Sequence, residues 1–268
     1  MQIFVINLPS AIERRKLQQD QLTNLGLEYK ILDATSADDI SEATYKKHYF
    51  DWQRPLRKTE VACYYSHRSA WETVIKSGKP ALILEDDAIL SKCVPKLLDN
   101  LYKIDNSDLI NLENMNRKKF VSRSHLDIDC DSKLLRLYQD RTGAAGYILW
   151  PSGANKLIQL EKNSGIGLAD AHITACHALK AYQVEPSAII QLDQCKIYGI
   201  KNTYTSTVSK STVSVSDNYK GSIYFRMKRP LYQLKLALRQ LFILTKSQRR
   251  YIKIRNSDFD SFADEKIT

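Results

Sequence analysis

The sequence has no apolar run long enough to cross a membrane. No stretch approaches the roughly 18 uncharged apolar residues that a spanning helix requires. The N-terminus also lacks a basic segment followed by a long apolar run, which is the pattern of a secretory signal peptide. We therefore expect a cytoplasmic protein without a spanning helix.

Cysteines are few and show no pairing pattern. There are five, an odd number, and no CxxC pair suggests a zinc site or a redox couple. We expect reduced thiols with mostly structural roles at Cys63, Cys93, Cys130, Cys176 and Cys195.

The excess of positive charge is confined to the C-terminal part of the chain. The sequence has 268 residues, 43% of them apolar, enough for one large domain or one domain with an appendage. Its net charge is +10, yet residues 1–195 hold equal numbers of Lys+Arg and Asp+Glu. Residues 226–255 contain ten basic side chains and no acidic one, which predicts a polyanionic partner.

Strand and helix patterns alternate from the N-terminus. Strands are predicted at 3–8 and 27–32 around a helix at 11–25, and a helix at 59–76 precedes a short apolar strand at 81–84. This order predicts an α/β fold that starts with a parallel sheet. Further along, we predict a loop at 115–130, strands at 109–112, 134–138 and 147–150, and helices at 153–160 and 173–179.

Three carboxylates, Glu85, Asp86 and Asp87, follow the strand 81–84 directly. Ligands of open α/β sheets bind at the carboxyl ends of strands, and Mg²⁺ or Mn²⁺ prefers oxygen ligands. Side chains alternate along an extended chain, so Glu85 and Asp87 point one way and Asp86 the other. We predict Asp87 as a direct metal ligand and Glu85 as a ligand either directly or through water. The alternative is a solvated acidic loop.

The segments around these carboxylates, read in order, resemble a known family. They are the helix Glu60-Val61-Ala62-Cys63-Tyr64-Tyr65-Ser66-His67-Arg68-Ser69-Ala70-Trp71, the run Leu82 to Asp87, and the turn Thr142-Gly143-Ala144-Ala145-Gly146-Tyr147. Val5-Ile6-Asn7-Leu8 with Glu13-Arg14-Arg15 is similar to the opening motif. Residues 1 to about 200 thus resemble glycosyltransferase family 25, the lipooligosaccharide galactosyltransferase family. Ala62 departs from the glycine common there, but it is also small.

The resemblance implies a GT-A-like fold, a single Rossmann-type nucleotide-sugar-binding domain with a UDP-sugar donor. It also implies dependence on Mn²⁺ or Mg²⁺ and inversion to a β-linked product. We interpret residues 1–200 as the catalytic domain, 201–225 as a Ser/Thr-rich loop or linker, and 226–268 as a basic amphipathic helical tail. The expected reaction moves galactose from UDP-galactose to a lipid-linked lipooligosaccharide or lipopolysaccharide sugar. The rivals are a nucleotide-sugar hydrolase using the same carboxylates and a non-catalytic polyanion-binding protein.

Donor contacts are predicted at the ends of the first strands and on the helix that follows the first strand. Asp86 is assigned to the ribose or sugar of the donor, and Asn7 to its base or ribose. Arg14, or its neighbour Arg15, is placed to meet the diphosphate, and Asp33 to contact the uridine. The alternatives are a turn residue at Asn7 and a solvated helix face for the arginines.

Two further donor-pocket candidates lie in the family motifs. His67 is four residues before Trp71, so both occupy one helix face, and the family carries a Ser-His pair here. The alternative for His67 is a hydrogen-bonded core or rim histidine above Trp71. Gly143, in the glycine-rich turn, is also assigned to the donor.

Inversion requires one group to take the proton of the attacking hydroxyl. We choose Asp170 as this general base, although it could equally be the N-cap of the next helix. His172 is the second candidate for the base, or a second metal ligand. Glu113 is a more distant candidate for the base.

The basic tail has the pattern of an amphipathic helix. Pro230 suits a first helical turn, and apolar residues then recur on one face at Leu231, Leu234, Leu238, Leu241 and Phe242. Such a helix binds anionic membrane surfaces, so we expect residues 226–255 to hold the protein on the inner face of a bacterial inner membrane. Packing against the body or a second subunit is the alternative, and nucleic acid is disfavoured because no base-reading motif is present.

Overall fold

The computed structural model describes residues 1–104, 106–129, 131–140, 143–201 and 223–259. Its strands are β1 (Gln2–Asn7), β2 (Lys30–Asp33), β3 (Ala81–Glu85), β4 (Ala88–Leu90), β5 (Leu109–Asn111), β6 (Lys119–Ser122), β7 (Leu126–Asp127), β8 (Lys133–Gln139), β9 (Gly146–Leu149), β10 (Ala181–Glu185), β11 (Ile189–Gln191) and β12 (Ser247–Arg250). Its α-helices are α1 (Ile12–Asn24), α2 (Glu42–His48), α3 (Lys58–Ser77), α4 (Val94–Leu101), α5 (Pro151–Ser164), α6 (Ala169–Ala175) and α7 (Ile223–Ile243). Short 3-10 helices occupy Leu192–Gln194 and Asn256–Asp258.

A mixed sheet forms the centre of the molecule. Its strand order is β12-β6-β8-β10-β5-β9-β3-β1-β2, with β7 paired to β8. Strand β1 pairs in parallel with both β2 and β3, which confirms the predicted parallel start. Strands β9 and β8 run antiparallel to their neighbours β3 and β10, so the sheet as a whole is mixed. The predicted α/β class is confirmed.

Helices cover both faces of this sheet. Successive side chains of a strand point to opposite faces, so in β3 Ile83 packs into one cluster while Leu82 and Leu84 pack into another. The first cluster contains Trp71 of α3 and Leu157 of α5. The second contains apolar residues of α1 and α4. Because the helices cover both faces, a ligand can reach the sheet only at the ends of its strands.

Two segments differ from the sequence prediction. Residues 115–130 were predicted as loop, yet β6 forms there and is buried because β8 and β12 pair with its two sides. Helix α7 ends at Ile243, and β12 follows it as an antiparallel partner of β6, so the predicted helical tail 226–268 is shorter than expected. Residues 202–222 of the predicted linker, and residues 260–268, lie outside the described residues.

Within the described ranges, no helix combines the length and apolar character that a membrane crossing requires. The cysteines described, Cys63, Cys93, Cys176 and Cys195, are free thiols, and Cys130 lies outside the described residues.

Candidate active site

The carboxyl ends of neighbouring strands bring the predicted residues to one edge of the sheet. Asn7 ends β1 and stands opposite Asp33, the last residue of β2. Glu85 ends β3, next to β1 on its other side. Asn7 is fully buried and Asp33 is exposed. We refer to this region, with Asp86 and Asp87, as the carboxylate edge.

Asp86 is held from two sides. The Nδ2 atom of Asn7 donates to Asp86 Oδ2 at 2.9 Å, and Nη1 of Arg14 donates to Oδ1 at 3.0 Å. Burial raises the pKa of Asp86, while the positive charge of Arg14 opposes that shift. Gln18 of α1 also donates to the backbone carbonyl of Asp86 at 3.1 Å. Asn7, Arg14 and Gln18 therefore fix the turn after β3, and both oxygens of Asp86 have protein partners.

Asp87 has an oxygen that no described residue satisfies. Its Oδ1 atom is buried without a hydrogen-bond partner, and its Oδ2 lies 3.8 Å from Nη1 of Arg14. Burial, and then the negative charge of Glu85, raise the pKa of Asp87 to about 8. A buried, unpartnered oxygen among carboxylates matches the needs of a hard divalent cation, so Asp87 and Glu85 fit Mg²⁺ or Mn²⁺.

Glu85 is oriented by a chain of buried hydrogen bonds. Its Oε1 lies 3.0 Å from Nε2 of His67, whose Nδ1 lies 3.0 Å from the Tyr147 hydroxyl. Trp71 Nε1 donates to that hydroxyl at 2.8 Å. The two ring nitrogens of His67 thus contact the Tyr147 hydroxyl on one side and the Glu85 carboxylate on the other. His67 is 1% exposed, so it is a buried histidine that also positions a candidate metal ligand.

A thiol borders the same carboxylate. The ligand atoms of Cys63, His67 and Glu85 lie within 4.8 Å of one another. Burial, and then the charge of Glu85, raise the pKa of Cys63, which keeps this thiol protonated at neutral pH.

Asp170 belongs to the same electrostatic cluster. Leu168 is the N-cap of α6, so Asp170 lies inside its first turn and the N-cap alternative is wrong. Its Oδ1 accepts a hydrogen bond from Ala171 N at 2.7 Å. Burial raises the pKa of Asp170; the charge of Glu85 raises it further and that of His67 lowers it. A partly buried carboxylate with a raised pKa, close to the proposed metal ligands, has the properties of a general base.

His172 is not brought to the carboxylates. It is 3% exposed, its Nε2 donates to the Leu157 carbonyl at 3.1 Å, and its ring stacks on Trp71 with centroids 5.7 Å apart. Burial lowers the pKa of His172. The side chain packs among α3, α5 and α6, and its contacts are with Tyr64, Trp71 and the Leu157 carbonyl.

Glu113 and Gly143 pack together beneath the glycine-rich turn. Glu113 is fully buried, and its Oε2 accepts the Ala145 amide at 2.8 Å while Oε1 has no partner in the described structure. Burial raises the pKa of Glu113 well above its usual range, and the charge of Glu85 adds to this. Gly143 has φ +104°, and a Cβ there would lie 2.6 Å from Glu113 Oε2. Glycine is required at 143 both for that backbone conformation and for the room it leaves.

Sequence reasoning missed Gln18 and the role of Tyr147. Nothing in the local pattern of α1 marks Gln18, because its partner Asp86 is 68 residues away. Tyr147 lies in the third family motif, but only the fold places its hydroxyl between Trp71 and His67.

Comparison with known proteins finds bacterial glycosyltransferases and a lipooligosaccharide biosynthesis protein among the relatives of this chain. A putative glycosyltransferase of Haemophilus influenzae is 27% identical over 245 residues, 88% of this chain and 85% of that protein. The H. influenzae lipooligosaccharide biosynthesis protein lic2B is 23% identical, covering 90% of this chain and 96% of its own. The lacto-N-neotetraose biosynthesis glycosyltransferase LgtB of Neisseria meningitidis serogroup B is 27% identical over 56% of this chain and 58% of its own.

Among solved structures, the inositol-1-phosphate CTP transferase from T. maritima aligns with a TM-score of 0.33 at 10% identity, over 71% of this chain and 83% of that one. Residues 1–174 match the model of glycosyltransferase family 25, described as an LPS biosynthesis protein. These residues include the whole carboxylate edge and Asp170. The chain belongs to glycosyltransferase family 25.

Proposed function

We propose that the protein is an inverting, metal-dependent transferase that moves galactose from UDP-galactose to a sugar of a lipooligosaccharide or lipopolysaccharide. The observation that carries this proposal is the buried Oδ1 of Asp87 at the carboxyl edge of the parallel strands, which has no hydrogen-bond partner among the described residues. The relatives named for lipooligosaccharide and lacto-N-neotetraose biosynthesis support the class of acceptor.

Asp87 and Glu85 would hold Mn²⁺ or Mg²⁺, which neutralises the diphosphate that leaves in sugar transfer. His67 keeps Glu85 in place for this role through its 3.0 Å contact. Arg14 adds a positive charge beside Asp86 and Asp87. Positioned charges of this kind stabilise a leaving group because they require no rearrangement during the reaction.

The donor's nucleoside is assigned to the ends of β1 and β2. The Oδ1 atom of Asn7 is buried without a partner in the described structure, so it is available to accept a hydrogen bond from a base or ribose. Asp33 stands beside Asn7 with an exposed carboxylate that suits ribose hydroxyls. Gly143 leaves room next to Glu113.

Asp170 supplies the base for inversion. The acceptor oxygen attacks the anomeric carbon from the face opposite the diphosphate, and the bond from that carbon to the diphosphate oxygen breaks. The hydroxyl proton passes to the carboxylate of Asp170. Its raised pKa makes Asp170 a stronger base than a solvated aspartate.

The outer face of α7 supports attachment to an anionic membrane. Its exposed apolar side chains include Leu234, Leu238, Leu241 and Phe242, the last 80% exposed. A row of this kind in a basic segment is typical of helices that lie in the membrane interface. We assign the protein to the inner face of a bacterial inner membrane, where lipid-linked acceptors are held.

The test is the binding of UDP in the presence and absence of Mn²⁺, measured by calorimetry. Asp87→Ala should abolish the enhancement by Mn²⁺, because the unpartnered oxygen is removed. Asp99→Ala, which changes an exposed carboxylate on α4, is the matched control and should keep it. If Mn²⁺ still enhances UDP binding in Asp87→Ala, the assignment of Asp87 as a metal ligand is wrong.

A screen of UDP-sugars with and without acceptors tests the reaction itself. Faster consumption of UDP-galactose when a saccharide acceptor is present supports transfer. Consumption at the same rate with water and with every acceptor would favour a nucleotide-sugar hydrolase instead. The absence of any metal-dependent UDP binding would favour a polyanion-binding protein.

A further inference from the structure

Helix α7 crosses the body next to α6 and leaves a groove beneath it. At one contact, the rings of Trp52 and Tyr232 meet edge to face with centroids 5.6 Å apart. At another, Nη2 of Arg239 donates to the Tyr138 carbonyl at 3.1 Å. Beside these contacts is an open groove of about 420 Å³, within the size range of small-molecule sites.

Gln139, which lines this groove, is buried. The residue is 4% exposed, and neither its Oε1 nor its Nε2 makes a hydrogen bond within the described structure. Leaving a buried amide unpaired costs about 1–3 kcal/mol, so native proteins rarely keep one without a reason. An amide offers an acceptor and two donors side by side, the pattern that two adjacent hydroxyls of a sugar ring can satisfy.

The rest of the described lining suits a neutral saccharide. Trp52 and Tyr232 present aromatic surface, which packs well against the C–H face of a sugar. Gln53, Gln233 and Gln240 add further amides. The groove has no Lys or Arg among its described lining residues, and its carboxylate, Asp140, is paired with Lys119 at 2.6 Å.

The groove is next to the proposed base. Ala171 and Thr174 of α6 line it, and Asp170 immediately precedes Ala171. The charge of Asp140 is also among those that act on the pKa of Asp170. The groove is therefore lined by the helix that carries the proposed base.

On the basis of the proposed sugar transfer, we propose that this groove is the acceptor site. It binds a neutral saccharide, with the Gln139 amide hydrogen-bonded to ring hydroxyls and Trp52 and Tyr232 stacked on the ring. Helix α7 completes the site, so the part of the chain after the family match contributes to acceptor binding.

The decisive variant is Gln139→Met, which removes the amide while keeping volume and shape. Acceptor candidates are glucose, galactose, N-acetylglucosamine and lactose, screened with UDP-galactose and Mn²⁺. For the best acceptor, Gln139→Met should raise KM about tenfold, the loss expected for one or two hydrogen bonds. The KM for UDP-galactose and the Mn²⁺-dependent binding of UDP should not change.

The same variant separates a binding role from a structural one. Because the amide makes no hydrogen bond with the described residues, Gln139→Met should melt at the same temperature as the wild type or higher. Trp52→Ala should also raise the acceptor KM, whereas Gln159→Ala, on the exposed side of α5, should not. An unchanged acceptor KM in Gln139→Met, or an equal rise in the KM values of donor and acceptor, overturns the proposal.

Direct binding distinguishes failure of this proposal from failure of the proposed reaction. Saturation-transfer NMR with the same four saccharides needs no turnover. Signals that are present with wild type and lost with Gln139→Met support the groove even if UDP-galactose is not the donor. If the enzyme transfers sugar but the saccharide signals persist in Gln139→Met and Trp52→Ala, the acceptor binds elsewhere and the proposal is wrong.

Discussion

The carboxylate edge and the groove under α7 are polar regions of opposite kinds. At the edge, most polar side chains already bind one another: Asn7 and Arg14 hold Asp86, and His67 holds Glu85. In the groove, Gln139 is buried with no hydrogen bond within the described residues. A preorganised edge suits charge that develops in a reaction, whereas an amide left unpaired suits a ligand that supplies the missing partners.

Replacing the proposed base, Asp170, should have the largest effect. Asp170→Asn keeps the shape of the side chain but cannot accept the proton, so kcat should fall about 10²–10⁴-fold. UDP affinity with Mn²⁺ should not change, because the Asn7, Glu85 and Asp87 side chains remain. Turnover is measured by UDP release with a saturating acceptor, and UDP binding by calorimetry. If Asp170→Asn is fully active, Asp170 is not the general base.

The pH dependence of metal binding should separate the edge from the groove. The pKa of Asp87 is raised to about 8, so below that pH the metal-free carboxyl holds a proton that a cation must displace. Affinity for Mn²⁺ should therefore rise about tenfold per pH unit up to pH 8 and then level off. Saccharide binding in the groove should stay flat over the same range.

Calorimetry of Mn²⁺ between pH 6 and 9, in buffers of different ionisation enthalpy, counts the protons released. The dependence should flatten in Asp87→Asn, which has no proton to displace. If the number of protons released by the wild type does not depend on pH, Mn²⁺ does not displace a proton from Asp87.

Breaking the hydrogen-bond chain behind Glu85 should have an intermediate effect. Tyr147→Phe removes the hydroxyl that joins Trp71 to His67, so Glu85 loses the support of an oriented imidazole. Loss of such supporting bonds typically lowers metal affinity or activity about 10–100-fold. Stability should also fall by about 1–3 kcal/mol, because the buried indole N–H is left unpaired.

Mn²⁺ titration and urea unfolding report the two effects separately. Tyr102→Phe is the control, since Tyr102 is 52% exposed and lies far along the chain from this network. If Tyr147→Phe lowers stability but leaves Mn²⁺ affinity unchanged, these hydrogen bonds stabilise the core and do not position a metal ligand.

The same contrast explains what the sequence could predict. Glu85, Asp86 and Asp87 are adjacent and follow a short apolar strand, so a local pattern was sufficient to place them at a strand end. The partners of Asp86 lie 79 and 72 residues away, at Asn7 and Arg14, and the sequence, from which both were assigned to the donor, did not indicate that they bind Asp86. A local sequence pattern can locate a cluster of adjacent residues, whereas contacts between distant residues depend on how the strands pair.

Non-local pairing also accounts for the differences in the fold. Strand β6 was predicted as loop because it is short and lies in a largely polar stretch, and it is buried through pairing with β8 and β12. Helix α6 begins at Ala169 instead of 173, which moves Asp170 from a cap into the first turn. The groove draws on residues near 52, 139, 171 and 232, and no local pattern could have joined them.

The smallest expected effect separates the two faces of α7. Its inner face lines the groove through Tyr232 and Leu236, while Leu241 and Phe242 are exposed on its outer surface. Changing both outer residues to serine should weaken sedimentation with anionic phosphatidylglycerol vesicles about tenfold, because each buried apolar side chain contributes about 1.5–3 kcal/mol at most. The KM for a soluble acceptor should not change.

Leu126→Ser, at an exposed apolar site on β7, is the matched control and should sediment like the wild type. If the double variant binds vesicles as the wild type does, the outer surface of α7 serves another contact. A concentration-dependent change in its sedimentation coefficient would then identify that contact as a second copy of the chain. If acceptor KM rises together with the loss of vesicle binding, the two faces of α7 act as one site, and a lipid-linked acceptor would be held by both at once.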